Sequence, residues 1–402
     1  MVFFCVRGQV VPGRSGTMDD WIRLTDTLFT NYSKHIYPVY NFTDTLSVDT
    51  SMLLFSIIDF DELSGVITLS ASISLVWTDY RLQWNSSDYG GIEFIQLNSS
   101  KIWKPNVYLI STADELSKFG SDEFDVSISS SGVCGYNPGK LLRSTCSVDM
   151  TKFPVDTQSC HMQLVLWGKT PNVKLTFSRT TFIMMYYTQN GEWDITQTSV
   201  SDYMGYGSPS TTLDFTLQIT RRHIYFIVSL TIPILLLCFL NPFVFLLPAS
   251  SGERISYTIT MFLSLAVYMT LMGDNLPKVS ENMAGMSYFL LVSLIYSSVL
   301  ILLTIFTLRC EATEDVSEFP IWLRRLTQSC SKFKSLKMRS YARRVKDAEE
   351  PIETKEPVAE VDTDCLCVKH RDIMRFIDHS LFATAFLFNL IITIWFLCFH
   401  YA

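Results

Sequence analysis

The sequence predicts a multidomain β + α chain, with a β-rich N-terminal domain followed by four membrane-spanning helices. Three observations carry this. Up to about residue 220, short runs alternate polar and apolar residues, as half-buried strands do. Beyond that point four long apolar blocks crowd the chain and lift the mean hydropathy of its 402 residues to +0.22. All four glycosylation tripeptides, beginning at Asn31, Asn41, Asn85 and Asn98, fall before the first block.

The sequons place the first half outside the cell or in a lumen. Residues 1–6 are too short and too poorly flanked for a secretory signal, so a mature or trimmed start is expected. Cys146 and Cys160 lie in this half, where an oxidising compartment lets them pair. Nothing assigns a partner to Cys134 or Cys5. Cys238 and Cys398 fall inside apolar blocks and read as small buried thiols. The net charge of −7 gives no footing for a nucleic-acid partner.

The blocks predict helices over residues 224–247, 255–272, 286–308 and 381–401, each long enough to cross about 30 Å of hydrocarbon. The first contains Pro233 and, near its inner end, Pro242. Membrane helices tolerate proline where neighbours re-satisfy the freed carbonyl. Arg324, Arg325, Lys332, Lys334, Lys337, Arg339, Arg343, Arg344 and Lys346 occupy a stretch without an acid, which should face the cytoplasm. Four spans then put both termini outside, in agreement with the sequons. The cytoplasmic stretch, 309–380, reads as an amphipathic helix around Trp322, an acidic linker over 347–364, and a basic run into the last span. Cys365 and Cys367 precede that run, as an unmodified reduced pair or a palmitoylation site.

The second span is rich in Ser and Thr. Ser256, Thr260, Leu263, Val267 and Thr270 follow steps of four and three, which keeps them on one helix face. Glu253 and Asp274 extend that face at either end, and the opposite positions, such as Ile259, Phe262 and Ala266, read as mostly apolar. Hydroxyls alone are explained by bonds to carbonyls or neighbouring helices; acids at both ends are not. One helix encloses no channel, so this face predicts a pore built by several subunits in a ring. Glu253 and Asp274 become rings of negative charge favouring cations, with Leu263 and Val267 as apolar constrictions.

Several motifs carry a family resemblance. Thirteen residues separate Cys146 from Cys160, with Phe153-Pro154-x-Asp156 between them. Trp77-x-Asp79-x-Arg81-Leu-x-Trp84, Ile102-Trp103-Lys-Pro105, Gly191-Glu-Trp193 and Leu247-Pro-Ala-Ser-Ser-Gly-Glu-Arg254 follow in order. Together they resemble the Cys-loop, or pentameric ligand-gated ion channel, receptors, in the nicotinic acetylcholine receptor branch. The resemblance implies an extracellular immunoglobulin-like β-sandwich behind an N-terminal helix, which residues 19–33 suit. A four-helix transmembrane bundle follows. The implied domains are 1–222 extracellular, 223–308 with three spans, 309–380 cytoplasmic and 381–402 with the fourth span and an extracellular C-terminus. Also implied are a homo- or hetero-pentamer in the plasma membrane, a small-molecule agonist between subunits and the Cys146–Cys160 bridge. Ser251-Gly-Glu-Arg254 stands where the anion-selective branch carries a Pro-Ala pair, which implies cation selectivity.

The family's aromatic box aligns with Trp167, Tyr203, Ile110, Ser210 and Ser72, so two of its five aromatics remain, and Tyr206 is a candidate substitute. Tight acetylcholine binding is therefore not expected. For gating, the resemblance places Phe153-Pro154 over the link between the second and third spans and pairs Arg222 with Glu62. No nucleophile, metal or cofactor motif stands out, so neither catalysis nor a cofactor is expected. A transporter is disfavoured because no charge lies within the spans and no internal repeat appears. Two readings stay open: an agonist-gated cation channel, and an accessory or orphan subunit lacking an agonist site of its own.

Overall fold

The structure is a computed structural model that describes residues 16–167, 172–203, 212–249, 252–276, 283–312 and 370–401. Tyr206, Ser210, the amphipathic helix at Trp322, the 347–364 linker, Cys365 and Cys367 lie outside the described residues, as does most of the link after the second span. The chain divides into two compact units.

The first unit opens with helix α1 (Met18–Phe29). Thr17 caps it: its hydroxyl accepts from the Asp20 N–H, and the Asp20 carboxylate accepts from the Thr17 N–H. The helix stops short of residue 33 because Asn31 turns into the left-handed region at φ 65°. Leu24 and Leu28 are buried, with Trp21 and Phe29 packed partly beneath.

Eleven strands follow among the described residues: β1 (Leu46–Asp61), β2 (Val66–Thr78), β3 (Phe94–Asn98), β4 (Val107–Leu109), β5 (Asp125–Ser129), β6 (Val133–Tyr136), β7 (Gly139–Thr145), β8 (Thr157–Leu166), β9 (Val173–Thr176), β10 (Trp193–Asp202) and β11 (Thr212–Arg221). One sheet runs β3-β5-β6-β2-β1-β9 with β7 also on β2; the other runs β10-β11-β8-β4. Their inner faces share one core, with Ile67, Leu69, Ile73 and Leu75 from β2 and Leu213, Phe215, Leu217 and Ile219 from β11. This is the expected β-sandwich behind an N-terminal helix. The Trp77-x-Asp79-x-Arg81 motif has a structural role in it. Buried Asp79 accepts twice from the Arg81 guanidinium, once from the Arg81 N–H and once from the Tyr32 hydroxyl at 2.9 Å, tying the turn after β2 to the segment after α1.

The Cys146–Cys160 bridge is formed. Cys134 carries a free thiol, fully buried, and burial pushes it up to about 12, with the Asp79 charge adding to the effect. It should therefore stay unmodified when the native protein is treated with a maleimide at neutral pH and mapped by mass. Rapid native-state labelling at Cys134 would contradict that burial.

The second unit is helical. Helix α2 (Ile224–Leu246) contains a π-helical segment, Ile227–Thr231, and closes in a 3-10 segment, Asn241–Leu246. Helices α3 (Glu253–Asn275), α4 (Gly285–Glu311) and α5 (His370–Tyr401) follow. All four contain stretches long and apolar enough to cross a membrane. Helix α5 begins well before residue 381 because its first turns have work to do: Ile373 and Met374 are buried, and Asp378 meets a cation from α3.

Candidate functional site: sheet face, buried arginine and exposed face of the second apolar helix

Side chains alternate along a strand, so the core-facing Leu164 and Met162 leave Gln163, Val165 and Trp167 on the outer face of the four-stranded sheet. Register then builds a row across that face. Tyr108 of β4 pairs with Val165 of β8, Val165 pairs with Thr212 of β11, and the Tyr203 N–H donates to the Thr212 carbonyl at 3.1 Å. Three strand spacings of about 4.8 Å put Tyr108 and Tyr203 roughly 14 Å apart along the backbone, with Val165 and Thr212 as a low floor. The Trp167 N–H bonds the Asn106 carbonyl at 2.9 Å, and its ring lies 6.1 Å from the Tyr108 ring with planes at 56°. Trp167 is 55% exposed and Tyr203 39%, so both aromatic faces are open to a ligand.

Ile110 lies on the same face, one strand repeat beyond Tyr108, bonded through its N–H to Gln163. Ser72 does not join this group. It lies in the other sheet, between Leu53 and Gly139, and is 4% exposed, so it offers a ligand almost no surface within one chain. Tyr108 was missed by sequence reading. The aromatic absent at 110 stands two residues earlier, on the same side of an extended strand.

The arginine paired with Glu62 is Arg221, not the expected Arg222. The Arg221 guanidinium donates to Glu62 Oε1 at 2.7 Å and to both Asp156 oxygens at 2.8 and 3.1 Å. It lies 4.3 Å from the Trp193 ring and 5.1 Å from Phe153. Arg222 instead forks onto Asp194 at the surface. The reason is strand period: Arg221 continues the inward row Leu213, Phe215, Leu217, Ile219, and the next residue points out. Burial alone would lower the Arg221 guanidinium, but the hydrogen bonds and charge of Asp156, with Glu62, raise it above its ordinary value. Pro154 follows Phe153 in this loop; the link they were expected to meet falls mostly outside the described residues.

On α3, Glu253, Ser256, Thr260, Leu263, Val267, Thr270 and Asp274 are all exposed, and they form one face. The face opposite is Arg254, Thr258, Met261, Leu265 and Met272, all buried in the bundle. Ile259, Phe262 and Ala266, expected opposite, flank the exposed face instead, roughly 100° away at 100° per residue. Arg254 fixes the helix. It is 1% exposed, grips both Asp378 oxygens at 2.9 and 2.7 Å, and donates to the Leu247 carbonyl at 2.7 Å. Thr260 and Thr270 donate back to the Ser256 and Ala266 carbonyls. With their protons committed to the helix, these hydroxyls turn oxygen lone pairs outward, where a cation or its hydration water is the natural partner.

Asn31, Asn41, Asn85 and Asn98 are all exposed.

Residues 22–223 match the neurotransmitter-gated ion-channel ligand binding domain, and residues 230–372 match the neurotransmitter-gated ion-channel transmembrane region. The chain is 33% identical to acetylcholine receptor subunit beta-like 1 of Drosophila melanogaster, over 71% of its length and 56% of that protein. It is 28% identical to acetylcholine receptor subunit alpha of Danio rerio, over 81% of its length and 74% of the relative. It is 29% identical to neuronal acetylcholine receptor subunit alpha-3 of Homo sapiens, over 75% and 61% respectively. The chain thus spans between half and three quarters of the relatives it matches.

Proposed function

The chain belongs to the neurotransmitter-gated ion-channel family, and on that premise we propose that it is a subunit of a pentameric, extracellular ligand-gated cation channel. The observation that carries this is the exposed face of α3, acidic at Glu253 and Asp274 and apolar at Leu263 and Val267. Copies of that face around a central axis give a pathway with two anionic rings and a dewetting constriction. Ligand closure in the binding domain would bias the pore helices between two states, and the Arg221–Glu62–Asp156 cluster beside Phe153 keeps its part of that domain rigid. In this reading the four exposed asparagines are glycosylation sites, which supports an extracellular N-terminal domain, and the four spans among the described residues carry the C-terminus to the same side.

The ligand site we assign is the corner of Trp167 and Tyr108 with Tyr203 across the Val165–Thr212 floor. It lacks the aromatic faces that Ile110, Ser210 and Ser72 replace, each worth roughly 0.5–2 kcal/mol to a bound cation. Tyr108 returns one of them. A small organic cation should therefore bind, and acetylcholine should bind weakly. Thermal-shift titration of the purified receptor with acetylcholine and tetramethylammonium checks this. Trp167→Ala or Tyr108→Ala should weaken the response about tenfold. No shift with either probe at millimolar concentration would favour the accessory-subunit reading.

A further inference from the structure

We infer that Asn389 on α5 supplies the hydrogen bond that Pro242 removes from α2, and that this clasp, together with Tyr257 of α3, positions the channel-facing helix. A proline has no N–H, so in a helix the carbonyl four residues earlier loses its partner; here that carbonyl belongs to Cys238. Within hydrocarbon there is no water to replace it. Helix α2 responds at this point. The Asn241 N–H still donates to Leu237, and then the chain tightens into the 3-10 segment Asn241–Leu246.

Two carbonyls at the break are taken by side chains from other helices. Asn389 Nδ2 donates to the Cys238 carbonyl, and the Tyr257 hydroxyl donates to the Leu240 carbonyl at 2.8 Å. Asn389 is 6% exposed, and the Thr393 hydroxyl donates to its Oδ1 at 3.4 Å, which turns the NH₂ group toward α2. Cys238 is held on a second side, its Sγ donating to Ser293 of α4 at 3.4 Å. Asn241 beside the proline is no substitute donor: its side-chain amide is buried and makes no hydrogen bond among the described residues. Phe239 and Phe243 of α2 pack on Phe382 and Phe386 of α5 around the same break. Helix α5 therefore grips α2 where α2 is least able to satisfy itself, and α2 holds α3 through Tyr257. Asn389 is a positioning residue.

The test is a two-by-two set on the full-length receptor purified in detergent: wild type, Asn389→Leu, Pro242→Ala and the double variant, read by thermal unfolding. Leucine keeps the volume and removes the donor. Asn389→Leu should lower the midpoint by roughly 1–4 °C, the effect of orphaning one buried carbonyl in a chain of this length. On the Pro242→Ala background the same change should lower it by less than half as much, because alanine restores the backbone amide. If Asn389→Leu yields no folded receptor, yield becomes the readout, and recovery in the double variant supports the clasp. Equal losses in both backgrounds, or continued loss of yield in the double variant, overturn it and leave Asn389 a packing residue.

Discussion

Replacing Arg221 with glutamine should cost about 3–5 kcal/mol of stability in the N-terminal unit, enough to remove most receptor from the cell surface. The substitution leaves Asp156, 2% exposed, and the half-buried Glu62 facing each other without the cation between them. Asp156 keeps one bond, from Gln158 Nε2 at 2.6 Å, which satisfies an oxygen but not a charge. Arg221→Lys should recover only part of the loss, since an ammonium cannot fork onto two Asp156 oxygens while reaching Glu62. Arg222→Gln removes an exposed pair with Asp194 and should leave folding near wild type. The chemical-denaturation midpoint of the purified receptor and its surface abundance check all three. Equal effects at 221 and 222 would mean that the inward row does not end on Arg221.

Glu253→Lys should lower the sodium-to-chloride permeability ratio on the order of tenfold or more. In the proposed pentamer each copy of this chain then contributes a lysine in place of a glutamate to the inner ring, and a narrow, poorly screened pathway concentrates whichever ion that ring attracts. The same change at Asp274 should act in the same direction. Arg254, next in sequence, points the other way into a buried pair with Asp378, so its positive charge does not offset the ring. Bi-ionic reversal potentials measure the effect, and an unchanged ratio would take Glu253 off the ion pathway.

The parts of this molecule legible in its sequence are those set by composition and period. Four charge-free apolar stretches are four membrane-capable helices, and the stepping of Ser256, Thr260, Leu263, Val267 and Thr270 is one exposed face. What escaped was set by which way a neighbouring residue points. Arg221 and Arg222 are chemically identical, and only the strand register tells the inward one from the outward one. The buried face of α3 was misassigned because Arg254 and Thr258 are polar, and a polar residue reads as exposed until Asp378 and the Leu247 carbonyl are seen beside it. Tyr108 was overlooked because aligned columns, unlike a strand face, do not treat positions two apart as equivalent. Asn389 lies 151 residues from the carbonyl it serves, and no local pattern joins them.

The decisive measurement is the reversal potential of the current evoked in cells expressing this chain alone, taken with the most effective ligand of a small-molecule screen. A reversal that follows the sodium and potassium gradients, and does not move when chloride is replaced by a large anion, is the expected result. A reversal that follows chloride would contradict the cation pathway assigned to the Glu253-to-Asp274 face.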